Sequence, residues 1–368
     1  MKNVIVRTDA SLVIGTGHVM RCLTLAAALR ERGIGCSFVC REHPGNLMAS
    51  IRHRGFEVYS LPAERRRVSD DTSGAEALHP HAMWLGADWA TDAQQTREVL
   101  GNAAADWLIA DHYAIDERWE RELRPVYDRL MVIDDLADRV HECDLLLDQN
   151  LGRQPADYAN LIPEHSRILA GQQYALLRPE FAVQRPYSLA RRAIPDLKRL
   201  LVTLGGVDTG NATYQVLNAL TQSPLPTDCH ITAVIGSQSP SLDQVRALAA
   251  RMPWTTEVLV DVSDMAKLMA ESDLAIGAAG TTAWERCCLG LPTLTIVLAD
   301  NQRRGAEALA ACGAAFILGL DSLASELPEK LALLLSGNNL EQMQRVCLAV
   351  TDGNGTSQVV DELMNSHD

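Results

Sequence analysis

The residues best suited to chemistry lie near the start of the chain. Arg7-Thr8-Asp9 closes a β-rich run, Val4-Ile5-Val6. Ile14-Gly15-Thr16-Gly17-His18 then opens a stretch in which Val19, Cys22, Leu23, Ala26 and Leu29 recur at helical spacing. In open α/β sheets ligands bind outside the carboxyl ends of strands, so Asp9, the glycine turn and His18 are expected to face one crevice. Gly15 and Gly17 let the backbone approach a ligand closely. A helix N-terminus disfavours imidazolium, which keeps His18 neutral and able to take a proton, as a general base must. From position alone the plainer reading, a helix-start histidine without chemistry, is the commoner; electrostatics favour the base.

Two acidic clusters, Asp111-His112-Tyr113 and Asp134-Asp135, also follow predicted strands. They are expected either to orient the base and bind substrate hydroxyls or to cap helices. In the second half, Leu204-Gly205-Gly206-Val207-Asp208 follows a strand, and Gly277-Ala278-Ala279-Gly280-Thr281-Thr282 follows another and leads into a helix. Small residues there expose backbone N–H groups, and the Thr281 and Thr282 hydroxyls can donate to phosphate oxygens, which together make a diphosphate cradle. Glu285, one turn on, can accept from a ribose diol or simply complement the helix terminus.

These residues need strands and helices in alternation to position them, and the pattern supplies both. Strands are expected at Cys36 to Cys40, Phe56 to Leu61, Trp107 to Ala110, Leu130 to Ile133 and Leu145 to Leu147, with helices at Asp92 to Ala103 and Glu117 to Asp128. A second series runs from Leu200 to Leu298 in the same grammar, including helices at Asn211 to Thr221 and Thr281 to Leu289. Alternation of this kind predicts parallel sheets covered by helices. Tyr187 to Pro195 reads as the linker, which divides the chain into a catalytic N-terminal domain, 1–187, and a ligand-binding C-terminal domain, 188–368. The polar stretch from Ala63 to Ala82 reads as a surface loop.

Composition excludes several classes. With 368 residues, 47% hydrophobic and 22% charged, the chain is long enough for two folded domains. A net charge of −14 argues against nucleic acid or an anionic membrane as partner. The segment MKNVIVRTDA turns polar too early for a signal peptide, and no apolar run is long enough to span a bilayer, so a cytoplasmic protein is expected. Nine scattered cysteines, with no CxxC pair and no HExxH, call for no metal. The turn at Gly15 to His18 lacks the third glycine of a dinucleotide fingerprint, so no cofactor is expected.

Taken together, RTDASLVIGTGHVMRCLTLAAAL, ADHY, LLVTLGG and GTTAWERCCLGLP resemble the UDP-2,4-diacetamido-2,4,6-trideoxy-β-L-altropyranose hydrolases of pseudaminic acid biosynthesis, along nearly the whole chain. The first segment, with Arg7, Asp9, Gly15, Gly17, His18 and Arg21, is the most specific. The resemblance implies a GT-B-like α/β fold, close in pattern to the bacterial peptidoglycan N-acetylglucosaminyltransferase, with two Rossmann-like domains whose parallel sheets face each other across a cleft. It also implies His18 as the catalytic histidine. Arg7, Asp9, Gly15, Gly17, Arg21, Asp111, Tyr113 and Gln302 would then lie around the sugar. Val262 would meet the uracil through its backbone, Glu285 the ribose, and Gly205, Gly206, Gly280, Thr281 and Thr282 the diphosphate. Trp284 stands where some relatives have Asn. The expected reaction is a single displacement in which His18 activates water and UDP departs. An inverting UDP-sugar glycosyltransferase and a non-catalytic UDP-sugar-binding protein stay open as alternatives.

Overall fold

The computed structural model describes residues 3–63, 81–101, 105–208 and 210–365. Most of the expected Ala63 to Ala82 loop and the end of the expected Asp92 to Ala103 helix lie outside them. The chain divides into two compact units, residues 1–176 with 355–368, and residues 177–354.

The first unit holds seven strands: β1 (Asn3–Thr8), β2 (Gly35–Arg41), β3 (Glu57–Leu61), β4 (Ala105–Asp111), β5 (Tyr127–Ile133), β6 (Leu145–Asp148) and β7 (Arg167–Ala170). They form one parallel sheet in the order β3-β2-β1-β4-β5-β6-β7. Alternation along the strands sorts residues onto two buried faces. Val4, Val6, Trp107 and Ile109 pack with Val19, Cys22, Leu23, Ala26 and Leu29 of helix α1 (Gly17–Glu31) and with Val359, Val360 and Leu363 of the terminal helix Gly355–Asn365. Ile5, Leu108, Leu130 and Trp119 fill the other face. Both faces being covered explains why the strands read as nearly unbroken apolar runs.

The second unit repeats the scheme with β8 (Arg199–Thr203), β9 (His230–Ile235), β10 (Thr256–Val260), β11 (Leu274–Ala278), β12 (Thr293–Ile296) and β13 (Ala315–Leu318). Its parallel order is β10-β9-β8-β11-β12-β13. Strand order reverses between β1 and β4 in the first unit and between β8 and β11 in the second, and such switch points open a crevice at the strands' carboxyl ends.

Three expectations are corrected. The helix expected over Glu117 to Asp128 ends at Glu122, because Pro125 cannot continue it, and β5 starts at Tyr127. Tyr187 to Pro195 is not a free linker: it begins inside the helix Pro179–Arg191, which packs on the helices Met265–Glu271 and Thr282–Cys288 of the second unit. The last segment, Gly355 onward, leaves the second unit and packs on α1. Among the described residues no helix is long and apolar enough to cross a membrane.

Candidate active site

The turn after β1 is closed on Ser11, whose hydroxyl accepts from the Val13 and Ile14 amides and whose carbonyl accepts from Gly15 at 2.9 Å. Gly15 sits at φ +80°, a left-handed conformation that favours glycine. The turn delivers the chain into α1 with His18 in its first turn, and His18, Arg21 and Cys22 share the face that meets the end of β4.

There His18 Nδ1 lies 2.6 Å from Asp111 Oδ1. A carboxylate can only accept, so Nδ1 carries a proton toward Asp111, and in the neutral tautomer Nε2 is the nitrogen that can accept one. Arg21 grips the same carboxylate with two bonds of 2.7 Å, from Nε to Oδ2 and from Nη2 to Oδ1, and Cys22 Sγ donates to Oδ2 at 3.3 Å. Burial pushes the Asp111 carboxyl up, but the Arg21 guanidinium and His18 outweigh it and hold the group well below the usual carboxylate range. Asp111 is therefore a fixed anion behind the imidazole. Arg21 Nη1 also reaches Asp135 at 2.7 Å, and the Tyr113 hydroxyl donates to the same Asp135 oxygen at 2.7 Å. The Tyr113 ring stands edge-on to His18 at 4.6 Å, with Trp84 stacked on Tyr113 and His81 beside Trp84. His18 is 7% exposed at the edge of this aromatic wall.

Arg7, Asp9, Arg21 and Asp111, expected around the sugar, are buried and engaged with protein groups. Arg7 is fully buried, bonded to Asp9 at 2.8 Å and bidentate to Asp92, which also binds Arg41 and the Trp119 indole. Asp9 Oδ1 accepts from the Arg41 amide at 2.7 Å. His112 Nδ1 accepts from the Ala114 amide, and burial pushes its pKa down to about 3. These groups brace the ends of β1 and β4. Asp135 belongs to a strand-end acidic cluster legible in the sequence, whereas Asp92, Arg41, Trp84 and His81 carry no such signal.

In the second unit the glycines and threonines expected at the diphosphate follow β8 and β11, the two strands of the switch point. Gly205, at φ +97°, and Gly206 follow β8 and have open space where a Cβ would stand. Asp208 caps the helix Ala212–Leu220 by accepting from the amides of Ala212 and Thr213, an ordinary structural duty. Gly280 follows β11, and the nearest atom to its missing Cβ is Gln302 Nε2 at 3.8 Å. Gln302 Oε1 accepts from the Leu298 amide, so its carboxamide is anchored beside the glycine. Thr281 stands at the N-cap position of the helix Thr282–Cys288, with no capping hydrogen bond from its side chain. The Thr282 hydroxyl accepts from Arg286 Nη1 at 3.1 Å, which leaves its own proton free to donate. Val262, half-buried, follows β10. Glu285 lies 3.6 Å from Arg178, and burial, partly offset by Arg178 and Arg286, pushes its pKa up to about 7.

Comparison with known proteins places these units in context. Residues 200–354 match the glycosyltransferase family 28 C-terminal domain. The UDP-2,4-diacetamido-2,4,6-trideoxy-beta-L-altropyranose hydrolase of Campylobacter jejuni is 25% identical over 310 residues, 84% of this chain and 97% of that protein. An uncharacterized protein of Methanocaldococcus jannaschii is 24% identical over 300 residues, 80% of this chain, but the match spans only 56% of its length. The solved structure of Acinetobacter baumannii MurG superimposes with a TM-score of 0.69 at 19% identity, covering 99% of this chain and 100% of its own. The fold is GT-B, and the resemblance drawn from the motifs extends along most of the chain.

Proposed function

We propose that the protein hydrolyses a UDP-linked 2,4-diacetamido-2,4,6-trideoxy sugar at the anomeric carbon, releasing free sugar and UDP in nonulosonic acid biosynthesis. The observation that carries this reading is the Asp111–His18 pair, which leaves an imidazole nitrogen able to take a proton at the β1/β4 switch point. In the proposed step His18 Nε2 takes a proton from water as the water oxygen bonds to the anomeric carbon. The bond from that carbon to the β-phosphate oxygen breaks, and UDP leaves with the electron pair. Configuration inverts. Asp111 stabilises the imidazolium that forms, and Gly205, Gly206, Gly280, Thr281 and Thr282 hold the departing diphosphate. Nine unpaired cysteines suit a reducing cytoplasm, where nucleotide sugars are made.

The family 28 match and the likeness to MurG support a second reading, an inverting glycosyltransferase in which the same histidine activates an acceptor hydroxyl. UDP release without any acceptor separates the two: the hydrolase gives equimolar UDP and free sugar, whereas the transferase gives neither until an acceptor is added. A protein that binds UDP-sugar without turnover gives neither under any condition.

Glu285 adds a pH signature. It must be ionised to accept from a ribose diol, and its pKa is pushed up to about 7. UDP affinity is therefore expected to rise several-fold, up to about tenfold, between about pH 6 and about pH 8 as the carboxylate loses its proton. Titration calorimetry across that range measures it, and Glu285→Gln is expected to flatten the rise.

A further inference from the structure

The helix Thr282–Cys288 buries an arginine that none of the roles above uses. Arg286 is 1% exposed, and its guanidinium folds back against the end of β11. Nη2 donates to the Ala278 carbonyl at 2.7 Å and Nη1 to the Thr282 hydroxyl at 3.1 Å, while Nε has no hydrogen-bond partner. Gly277 makes room for it: a Cβ there would stand 2.6 Å from Nη1 and 2.9 Å from Cζ. The strand thus carries glycine at its penultimate position, where the cation must fit.

What this guanidinium lacks is an anion. Arg7 is compensated by Asp9 and Asp92 and Arg21 by Asp111 and Asp135, while Arg192, also buried and without an ion pair among the described residues, spends its guanidinium on the carbonyls of Ser188, Met269, Ser272 and Leu289. Among the described residues Arg286 makes no ion pair. The carboxylate acting on it, Glu285, is engaged by a second cation, Arg178, and burial shifts it toward its neutral form. A buried charge without a partner is destabilising, and arginine does not escape by deprotonating. The residues that receive its two bonds, Ala278 and Thr282, flank Gly280.

We infer that Arg286 is a buried countercharge for the ligand's diphosphate, set beneath the 278–282 loop and left unpaired by the protein so that the nucleotide completes the pair. The inference rests on the nucleotide reading of that loop. Arg286 acts through the loop without touching the ligand, by placing positive charge behind the Thr282 hydroxyl and by orienting it to donate outward. It distinguishes ligands by charge: UDP gains more from it than UMP, and uridine gains nothing.

The test is the affinity of the full-length protein for uridine, UMP and UDP, in the wild type, Arg286→Gln and Arg286→Lys. Gln keeps one amide donor but removes the charge, and Lys keeps the charge. The expected result is a loss of about tenfold or more in UDP affinity for R286Q, a smaller loss for UMP and none for uridine, with R286K close to wild type. The unliganded R286Q protein should melt no lower than wild type, and its stabilisation by UDP should shrink. Equal weakening of all three ligands would make Arg286 a structural prop of the loop and overturn the inference, as would unchanged UDP binding by R286Q. If R286Q does not fold, the wild type still decides: stabilisation by inorganic pyrophosphate alone is expected, and its absence alongside firm UDP binding overturns the proposal. A wild type that binds no UDP would instead defeat the nucleotide reading itself.

Discussion

His18→Ala is expected to reduce turnover by roughly 10³-fold while leaving UDP affinity within about twofold of wild type. The separation follows from where the residue sits. His18 belongs to the first unit, at the start of α1, and the residues proposed to hold the nucleotide, Gly205 to Glu285, belong to the second. Removing the imidazole deletes the group proposed to take the proton from water but none of the groups proposed to hold the diphosphate. His18→Gln preserves polarity and approximate size without a basic nitrogen, so it should be nearly as inactive as alanine. Full turnover by either variant removes His18 from the mechanism. Lost turnover with lost UDP binding would point to a role in folding, which a melting curve would reveal.

Asp111→Asn is expected to be almost as damaging, with turnover down by about 10³- to 10⁴-fold, for two reasons that leave different traces. An Asn amide placed with its NH₂ toward His18 would donate to Nδ1, moving the ring proton to Nε2 and removing the lone pair that the reaction needs. The same substitution strips Arg21 of its bidentate partner at two 2.7 Å contacts inside the protein. A buried guanidinium that loses one of its two carboxylates should lower stability by about 3–5 kcal/mol. Because the folded protein holds Asp111 well below the usual carboxylate range, its contribution is present above the ordinary carboxylate pKa and lost as pH falls below it. D111N should therefore narrow the stability gap to wild type in acid, a trace that a purely catalytic role would not leave. Melting temperature and kcat measured on the same samples separate the two effects.

Much of this arrangement was legible in the residues. The run Val4-Ile5-Val6, the Gly15 to Gly17 turn and the apolar face of α1 specify a strand, a turn and a helix locally, so the placement of His18 at a helix start followed from nearest neighbours in sequence. The partner of His18 was visible only as an acid at a strand end, since which strand adjoins β1 is a matter of topology. Thr8 is paired with Asp111 across 103 residues of chain, and it is this register that brings carboxylate and imidazole together.

The rest was hidden for the same reason. Arg7 and Asp9 look like ligand contacts because charged residues at the end of a β-strand usually face solvent or substrate. Their burial depends on Asp92 and Arg41, which sequence cannot place beside them. In the sequence Arg286, one residue after Glu285, looks like ordinary helix charge. Its unpaired state emerges only when the guanidinium is traced back to Ala278 and Gly277. The Trp84 and His81 wall sits beside a polar, broken stretch with no periodicity to mark it.

In the proposed mechanism His18 directs water at the anomeric carbon of a UDP-sugar. The most direct test is acceptor-free turnover of UDP-2,4-diacetamido-2,4,6-trideoxy-altrose in water labelled with heavy oxygen, followed by mass analysis of both products. The expected products are equimolar UDP and free sugar with the label on the sugar's anomeric hydroxyl. Label on UDP would mean that phosphorus is attacked, and no release until an acceptor is supplied would mean that the protein transfers sugar; either result contradicts that mechanism.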